Sequence, residues 1–256
     1  MSKDYNTVFE RVEVKYWIPN EKYEAFRRAA EQYMQLDEYG LTTICNIYYD
    51  TENNDLVSRS LKKPVYKEKL RLRSYGIPAN DTIVFAEIKK KFDGVVYKRR
   101  AALPLVRAEA FLNSGIRPEE DSQIIREIAY FRDFYKPKAR LFLAYDREAF
   151  FGKYDPELRF TIDRNIRYRE NDLFLSKGDS GACLYPEGGY LLEIKVQDAL
   201  PLYLTHILTE FRIFPVSFSK YGQIYSVNST REVAVKPYNK ISAESNERGY
   251  ALCSQA

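Results

Sequence analysis

The sequence predicts an α+β protein organised on an antiparallel sheet of eight strands, with helices packed against it. Three observations carry this reading. Apolar residues alternate with polar ones at a period of two over segments 8–18, 42–50, 66–75, 82–92, 95–105, 138–151, 157–168 and 189–197. Asp93-Gly94 joins the fourth and fifth of these with the signature of a type I′ hairpin turn, which makes at least that pair antiparallel. Helix-period segments are fewer and fall between groups of strands instead of after each one.

Taken in order, the first strand, VFERVEVKYWI, leads into a predicted helix over 20–38. Pro19-Asn20 is its cap, and Tyr23, Phe26, Ala30, Tyr33 and Met34 share one face. Strands 42–50, 66–75, 82–92 and 95–105 follow. A helix over 118–135 opens on Pro118-Glu119-Glu120, carboxylates suited to a helix N-terminus, and carries Ile124, Ile125, Ile128, Phe131 and Tyr135. After the last three strands come helices over 200–213, opened by Pro201, and 217–227, opened by Ser217. From residue 229 to 256 the periodicity fades, so the expectation is one domain over 1–228 and a loosely held tail.

Composition narrows the function classes. An apolar fraction of 45% in 256 residues is enough for a buried core and excludes wholesale disorder. Charges interrupt every apolar run, so no membrane-spanning helix is legible, and residues 1–6 lack the apolar core of a secretion signal; both predict a soluble, cytoplasmic protein. Cys45, Cys183 and Cys253 are too few and too far apart for a disulfide framework or zinc site and read as reduced thiols. His206, the single histidine, reads as a structural residue of a packing helix. No nucleic-acid-binding module is recognisable despite the net charge of +4.

Residues i, i+2 and i+4 of a strand share a face, and here that rule separates the charges. Arg11, Glu13 and Lys15 oppose Val12, Val14 and Tyr16; Lys69, Arg71 and Arg73 oppose Leu70 and Leu72. Glu87 and Lys89, Lys98 and Arg100, Tyr145 and Arg147, Arg159, Thr161 and Asp163, and Glu193 and Lys195 behave likewise. The plain reading is the solvent face of a one-sided sheet. Repeated Arg-x-Arg and Glu-x-Lys patterns with few Ser or Thr point instead to a lined cavity, since eight strands are enough to close a barrel. So many cations on one interior require anions, and phosphate matches guanidinium by charge and fork geometry. The interspersed carboxylates either pair with neighbouring cations or share a hard divalent cation with phosphate oxygens.

At these residues the chain resembles the VTC-type polyphosphate polymerase domain, a branch of the triphosphate tunnel metalloenzyme (CYTH-like) superfamily. The similar stretches run in the family's order: Phe9–Trp17, Ile47–Thr51, Lys69–Gly76, Phe85–Lys89, Tyr97–Arg100, Tyr145–Phe150, Leu191–Lys195 and Phe218–Tyr221. The resemblance implies an eight-stranded antiparallel β-barrel tunnel that holds a phosphate chain, with helices outside and at one end. It implies that Lys15, Arg71, Arg73, Lys89 and Glu193 are catalytic, that Lys98, Arg100, Arg147, Arg159, Lys195 and Lys220 bind phosphates, and that Glu193 is a metal ligand for Mn²⁺ or Mg²⁺. Glu87 and Glu13 are each either a further metal ligand or an orienter of neighbouring cations.

The implied reaction is ATP-dependent polyphosphate synthesis, with ATP and inorganic polyphosphate as partners. The alternatives are a tri- or polyphosphate hydrolase of the same fold and a non-catalytic polyphosphate or inositol-phosphate binding module. Tunnel hydrolases typically open with Glu-x-Glu-x-Lys, whereas this chain reads Arg11-Val12-Glu13-Val14-Lys15, a departure that favours the polymerase branch. Retention of Glu193 favours catalysis over binding alone.

Overall fold

Nine strands of the computed structural model, which describes residues 12–235 except Pro156 and Asp198, form one antiparallel sheet in the order β1-β9-β7-β6-β2-β3-β4-β5, with β8 paired to β7. The strands are β1 (Val12–Ile18), β2 (Met34–Asp50), β3 (Tyr66–Tyr75), β4 (Ile83–Phe92), β5 (Val95–Pro104), β6 (Lys138–Gly152), β7 (Arg159–Arg169), β8 (Ala182–Cys183) and β9 (Tyr190–Val196). The helices are α1 (Asn20–Glu31), α2 (Asp55–Leu61), α3 (Leu105–Glu109), α4 (Gln123–Tyr135), α5 (Leu202–Glu210) and α6 (Lys220–Val235). The eight strands read from the periodicity are all present. The Asp93-Gly94 turn has both residues at positive φ, 44° and 87°, as type I′ requires.

The helix over 20–38 is shorter than its periodicity implies. It ends at Glu31, and Met34, Gln35 and Leu36 belong to β2, paired with Gly152, Phe151 and Phe150 of β6. Pairing across more than a hundred residues outweighs the local helical spacing of Tyr33 and Met34. The helix over 118–135 starts at Gln123, where the Ser122 side chain accepts the Ile125 N–H; Pro118 and the two glutamates stay outside it. The last helix starts at Lys220 and continues to Val235, beyond the boundary at 229 that the fading periodicity implied. Residues 236–256, and residues 8–11 of the first predicted strand with Arg11 among them, lie outside the described residues.

Three apolar clusters hold the sheet in shape. On one half of its outer face, Ile47, Leu70, Leu72, Ile88 and Phe142 pack with Phe111, Ile128 and Phe131 from the α3–α4 region. On the other half, Ile18, Phe160, Leu192 and Ile194 pack with Phe26 of α1 and Leu204 and Leu208 of α5. The third cluster is on the opposite face: Ile44, Tyr48, Leu141, Leu143, Tyr145, Ile166 and Tyr168 pack against Tyr221 and Ile224 of α6. Each fully buried Phe, Leu or Ile contributes about 1.5–3 kcal/mol. The sheet therefore curls around α6, which fills part of its concave face.

Asp50 fixes this plug. Fully buried, it accepts the backbone N–H groups of Leu56 and Val57 at the start of α2 and the Tyr221 hydroxyl of α6. It thus does the capping work that a short helix beginning after Asn54 lacks. Just before α6, Val216 N–H bonds the Lys15 carbonyl at 2.7 Å and Pro215 pairs with Tyr16, covering the free edge of β1. The chain then crosses to β3, where Lys69 Nζ donates to Ser219 Oγ at 3.1 Å.

Candidate functional site

Directly opposed residues of an antiparallel pair point to the same face, so the register collects the charged positions. Lys15 stands opposite Glu193 and Glu13 opposite Lys195; Thr161 faces Glu193 and Arg159 faces Lys195; Arg147 faces Asp163. On the other side Arg71 lies between Tyr48 and Glu87, Glu87 between Arg71 and Arg100, and Lys89 between Lys69 and Lys98. Every strand residue inferred for the site from the sequence is therefore on the concave face, and Lys220 meets that face from α6. Their outward neighbours, Leu70, Leu72, Ile88, Ile194 and Phe160, form the outer clusters.

The carboxylates sit in two separate clusters. Glu193, mostly buried, lies 3.1 Å from Lys15 Nζ, 3.3 Å from Lys220 Nζ and 3.5 Å from Arg147. Burial pushes its carboxyl pKa up, but Lys220, Lys15, Arg147 and Lys195 together hold it well below the usual carboxylate range. Glu13 belongs to this cluster, 3.4 Å from Lys15 and 3.9 Å from Lys195, and its pKa is also lowered: burial and Glu193 raise it, while Lys15, Lys89 and Lys195 prevail. Asp163, fully buried, binds Arg147 through two hydrogen bonds of 2.6 and 2.7 Å and takes Lys220 at 2.5 Å.

Glu87 forms the second cluster. Its Oε2 accepts Arg71 Nε at 2.7 Å and also lies 2.6 Å from Arg71 Nη2 and 3.8 Å from Arg73 Nε; its Oε1 is 2.9 Å from Lys98 Nζ. Burial raises the Glu87 pKa, yet Arg71, Arg73 and Lys98 bring it down to about 2. Arg73 is held by the Asn46 side chain and the Tyr145 hydroxyl, and Arg71 by the Tyr48 hydroxyl. Tyr48 is affected in turn: burial raises its pKa, while Arg71, Arg73 and Lys69 bring the phenol down to about 8.

Lys220 occupies the first turn of α6, where the helix dipole disfavours a cation. Asp163 and Glu193 reverse that preference and raise its pKa against the effect of burial. Ser219 precedes it as the cap, accepting the Gly222 N–H, where the sequence reading placed the opening at Ser217. Burial lowers the Lys69 pKa to about 8; Tyr48 opposes that shift, and Lys67, Lys89 and Lys15 add to it. Arg100 stacks 4.7 Å over Phe85, and Arg159 is exposed at one end of the face.

Asp163, Lys69, Tyr48 and Tyr145 join the site although the sequence reading gave them no role. Asp163 and Lys69 were legible by parity, because each shares a face with residues that were assigned. Tyr145 was legible in the same way, sharing its face with Arg147, whereas Tyr48 carried no such signal, since tyrosine in a strand reads as core. Conversely, His206 is exposed on α5 and Lys90 faces outward to Glu127 of α4 at 3.5 Å.

A model of the VTC domain matches residues 10–228. The chain belongs to the VTC-domain family. Its fold is that of the CYTH-like tunnel proteins. A provisionally named adenylate cyclase from Bacillus halodurans aligns at 15% identity over 82% of this chain and 93% of its own, with a TM-score of 0.53. A provisionally named adenylyl cyclase from Hippeastrum, described as having a dominant triphosphatase activity, aligns at 16% identity over 85% of this chain and 96% of its own, with a TM-score of 0.51. No curated protein matches the chain. Among the described residues of this VTC domain, no helix is long and apolar enough to cross a membrane.

A divalent metal is the family's usual companion, and the donor set decides how one fits. Among the described residues no group of three or more His, Cys, Asp or Glu side chains converges to hold an ion. Glu193 and Glu13 both approach Lys15 Nζ, at 3.1 and 3.4 Å. That donor set suits Mg²⁺ or Mn²⁺ arriving with phosphates, which need only one or two protein carboxylates. Glu87 is apart from this pair and surrounded by cations.

Proposed function

We propose that this protein is an ATP-dependent polyphosphate polymerase, transferring the γ-phosphoryl group of ATP to the terminal phosphate of a growing chain inside the curled sheet. The observation that carries this reading is the pairing register. It aligns Lys15, Arg71, Arg73, Lys89, Lys98, Arg100, Arg147, Arg159 and Lys195 on the one face that Lys220 meets from α6, where carboxylates are outnumbered. Such a face has a net positive charge that a bound polyphosphate neutralises.

In this reading Lys15, Arg71, Arg73 and Lys89 neutralise the oxygens of the transferring phosphoryl group, while the remaining cations hold the chain. An oxygen of the terminal chain phosphate forms the new bond to the γ-phosphorus, and the bond to the β–γ bridging oxygen breaks with its electron pair leaving on ADP. Phosphoryl transfer asks mainly for in-line positioning and charge neutralisation, which fixed cations supply without reorganising. Arg71 and Arg73 are preorganised by Glu87, Asn46, Tyr48 and Tyr145, so Glu87 is a positioning residue. Glu193, with Glu13 beside it, would hold Mn²⁺ or Mg²⁺. When bound, that ion supplies Lewis-acid neutralisation of phosphate oxygens.

Transfer of label from γ-labelled ATP into acid-insoluble polyphosphate, stimulated by a short primer, tests the proposal. Label found only in orthophosphate overturns it in favour of hydrolysis, with water in place of the chain oxygen. Retention of polyphosphate without any transfer overturns it in favour of a binding module.

A further inference from the structure

Along one stretch of the inner wall the register opposes lysine to lysine. In the β3–β4–β5 ladder, Lys67 stands directly opposite Lys91, Lys69 opposite Lys89, and Lys89 opposite Lys98. Like charges directly opposed across strands are destabilising. The outer face of the same ladder follows the usual rule: Glu68 stands opposite Lys90, and Lys90 pairs with Glu127. Lys67, Lys69, Lys89 and Lys91 make no ion pair within 4.0 Å among the described residues, whereas every carboxylate of the site is shared by at least two cations. Repulsion from Lys91 and Lys63 adds to burial in lowering the pKa of Lys67.

Lys67 and Lys91 are each two residues beyond Lys69 and Lys89, toward the Asp93-Gly94 turn, which carries them about 7 Å further along the strands. Beside this stretch, Phe218 stacks on Trp17, Ser219 accepts the Lys69 ammonium at 3.1 Å, and Lys67 donates to the Ser60 carbonyl of α2 at 3.4 Å.

We propose that Lys69, Lys67 and Lys91 form an exit track that holds the distal part of a long polyphosphate chain as it leaves the interior by the β4–β5 turn. The track rests on the polyanion reading of the interior but not on the polymerase step. It discriminates by length: a tripolyphosphate that fills only the centre does not reach Lys67 or Lys91, whereas a long chain does.

The test compares wild type with K67E/K91E, titrating inorganic tripolyphosphate and long-chain polyphosphate at several salt concentrations. The proposal expects affinity for the long chain to fall about tenfold or more and its salt slope to shrink by about 1.4, two phosphate contacts at about 0.7 each, while tripolyphosphate affinity changes by less than about twofold. K67Q/K91Q, which removes the two charges without reversing them, serves if charge reversal impairs folding. Lys90→Gln, on the outer face, is expected to leave both affinities unchanged. Equal long-chain affinity in wild type and double variant overturns the track, as does an equal loss for both ligands or an effect confined to binding of anionic vesicles. If tripolyphosphate fails to bind wild type at all, the polyanion reading itself fails.

Discussion

Asp163 binds the Arg147 guanidinium in a fork of 2.6 and 2.7 Å and meets Lys220 at 2.5 Å, so one fully buried carboxylate ties β6, β7 and the start of α6 together. The cations it joins are two of those that surround Glu193. Asp163 therefore sets the geometry of a cluster it does not itself complete.

Asp163→Asn removes that shared counter-charge and leaves two buried cations with Glu193 as their remaining carboxylate. Breaking a buried pair in this way costs about 3–5 kcal/mol. Chemical denaturation is expected to show a loss of that order, with a bound polyanion restoring part of it.

Glu193→Gln is expected to abolish metal-dependent turnover while leaving polyanion binding intact or tightened, because a negative charge is lost among Lys15, Arg147 and Lys220. Turnover in Mn²⁺ and affinity for tripolyphosphate, measured on the same preparation, check the two halves. Undiminished turnover would remove Glu193 from the metal site.

Glu87→Gln leaves Arg71, Arg73 and Lys98 without their common partner. The expectation is a split: kcat falls by about tenfold or more because the arginines lose their fixed positions, whereas KM for ATP does not rise, because the net charge of the site becomes more positive. A kcat unchanged from wild type would leave Glu87 without a positioning role.

The response to pH follows from Lys69 and Tyr48, both held at about 8. As pH rises through 8, Lys69 loses its positive charge and Tyr48 gains a negative one, so polyanion affinity is expected to fall. Stability moves the other way. Both folded pKa values lie below the ordinary 10.5 and 10.0, so the unfolded chain holds more protons between pH 8 and 10, and the fold gains stability across that window. Calorimetric titration in buffers of different ionisation enthalpy should record proton uptake on binding near pH 8.

The concave face was legible because charge and parity are local properties of a strand. Lys15, Arg71, Lys89 and Glu193 each stand two residues from another charged position, and the ladder only had to bring those faces together. What was not legible depends on distant partners. Met34–Leu36 became strand because β6 pairs with them, not because of their own spacing. The seven-residue α2 is too short for its periodicity to register and forms where Asp50, from the preceding strand, caps it. Tyr48 entered the site through Arg71, a contact that no sequence spacing encodes.

The most direct measurement is ³¹P NMR of purified protein incubated with ATP and Mn²⁺, with and without a short polyphosphate primer. The account predicts growth of internal chain phosphates matched by ADP, faster with the primer. Orthophosphate accumulating without internal phosphates would contradict it.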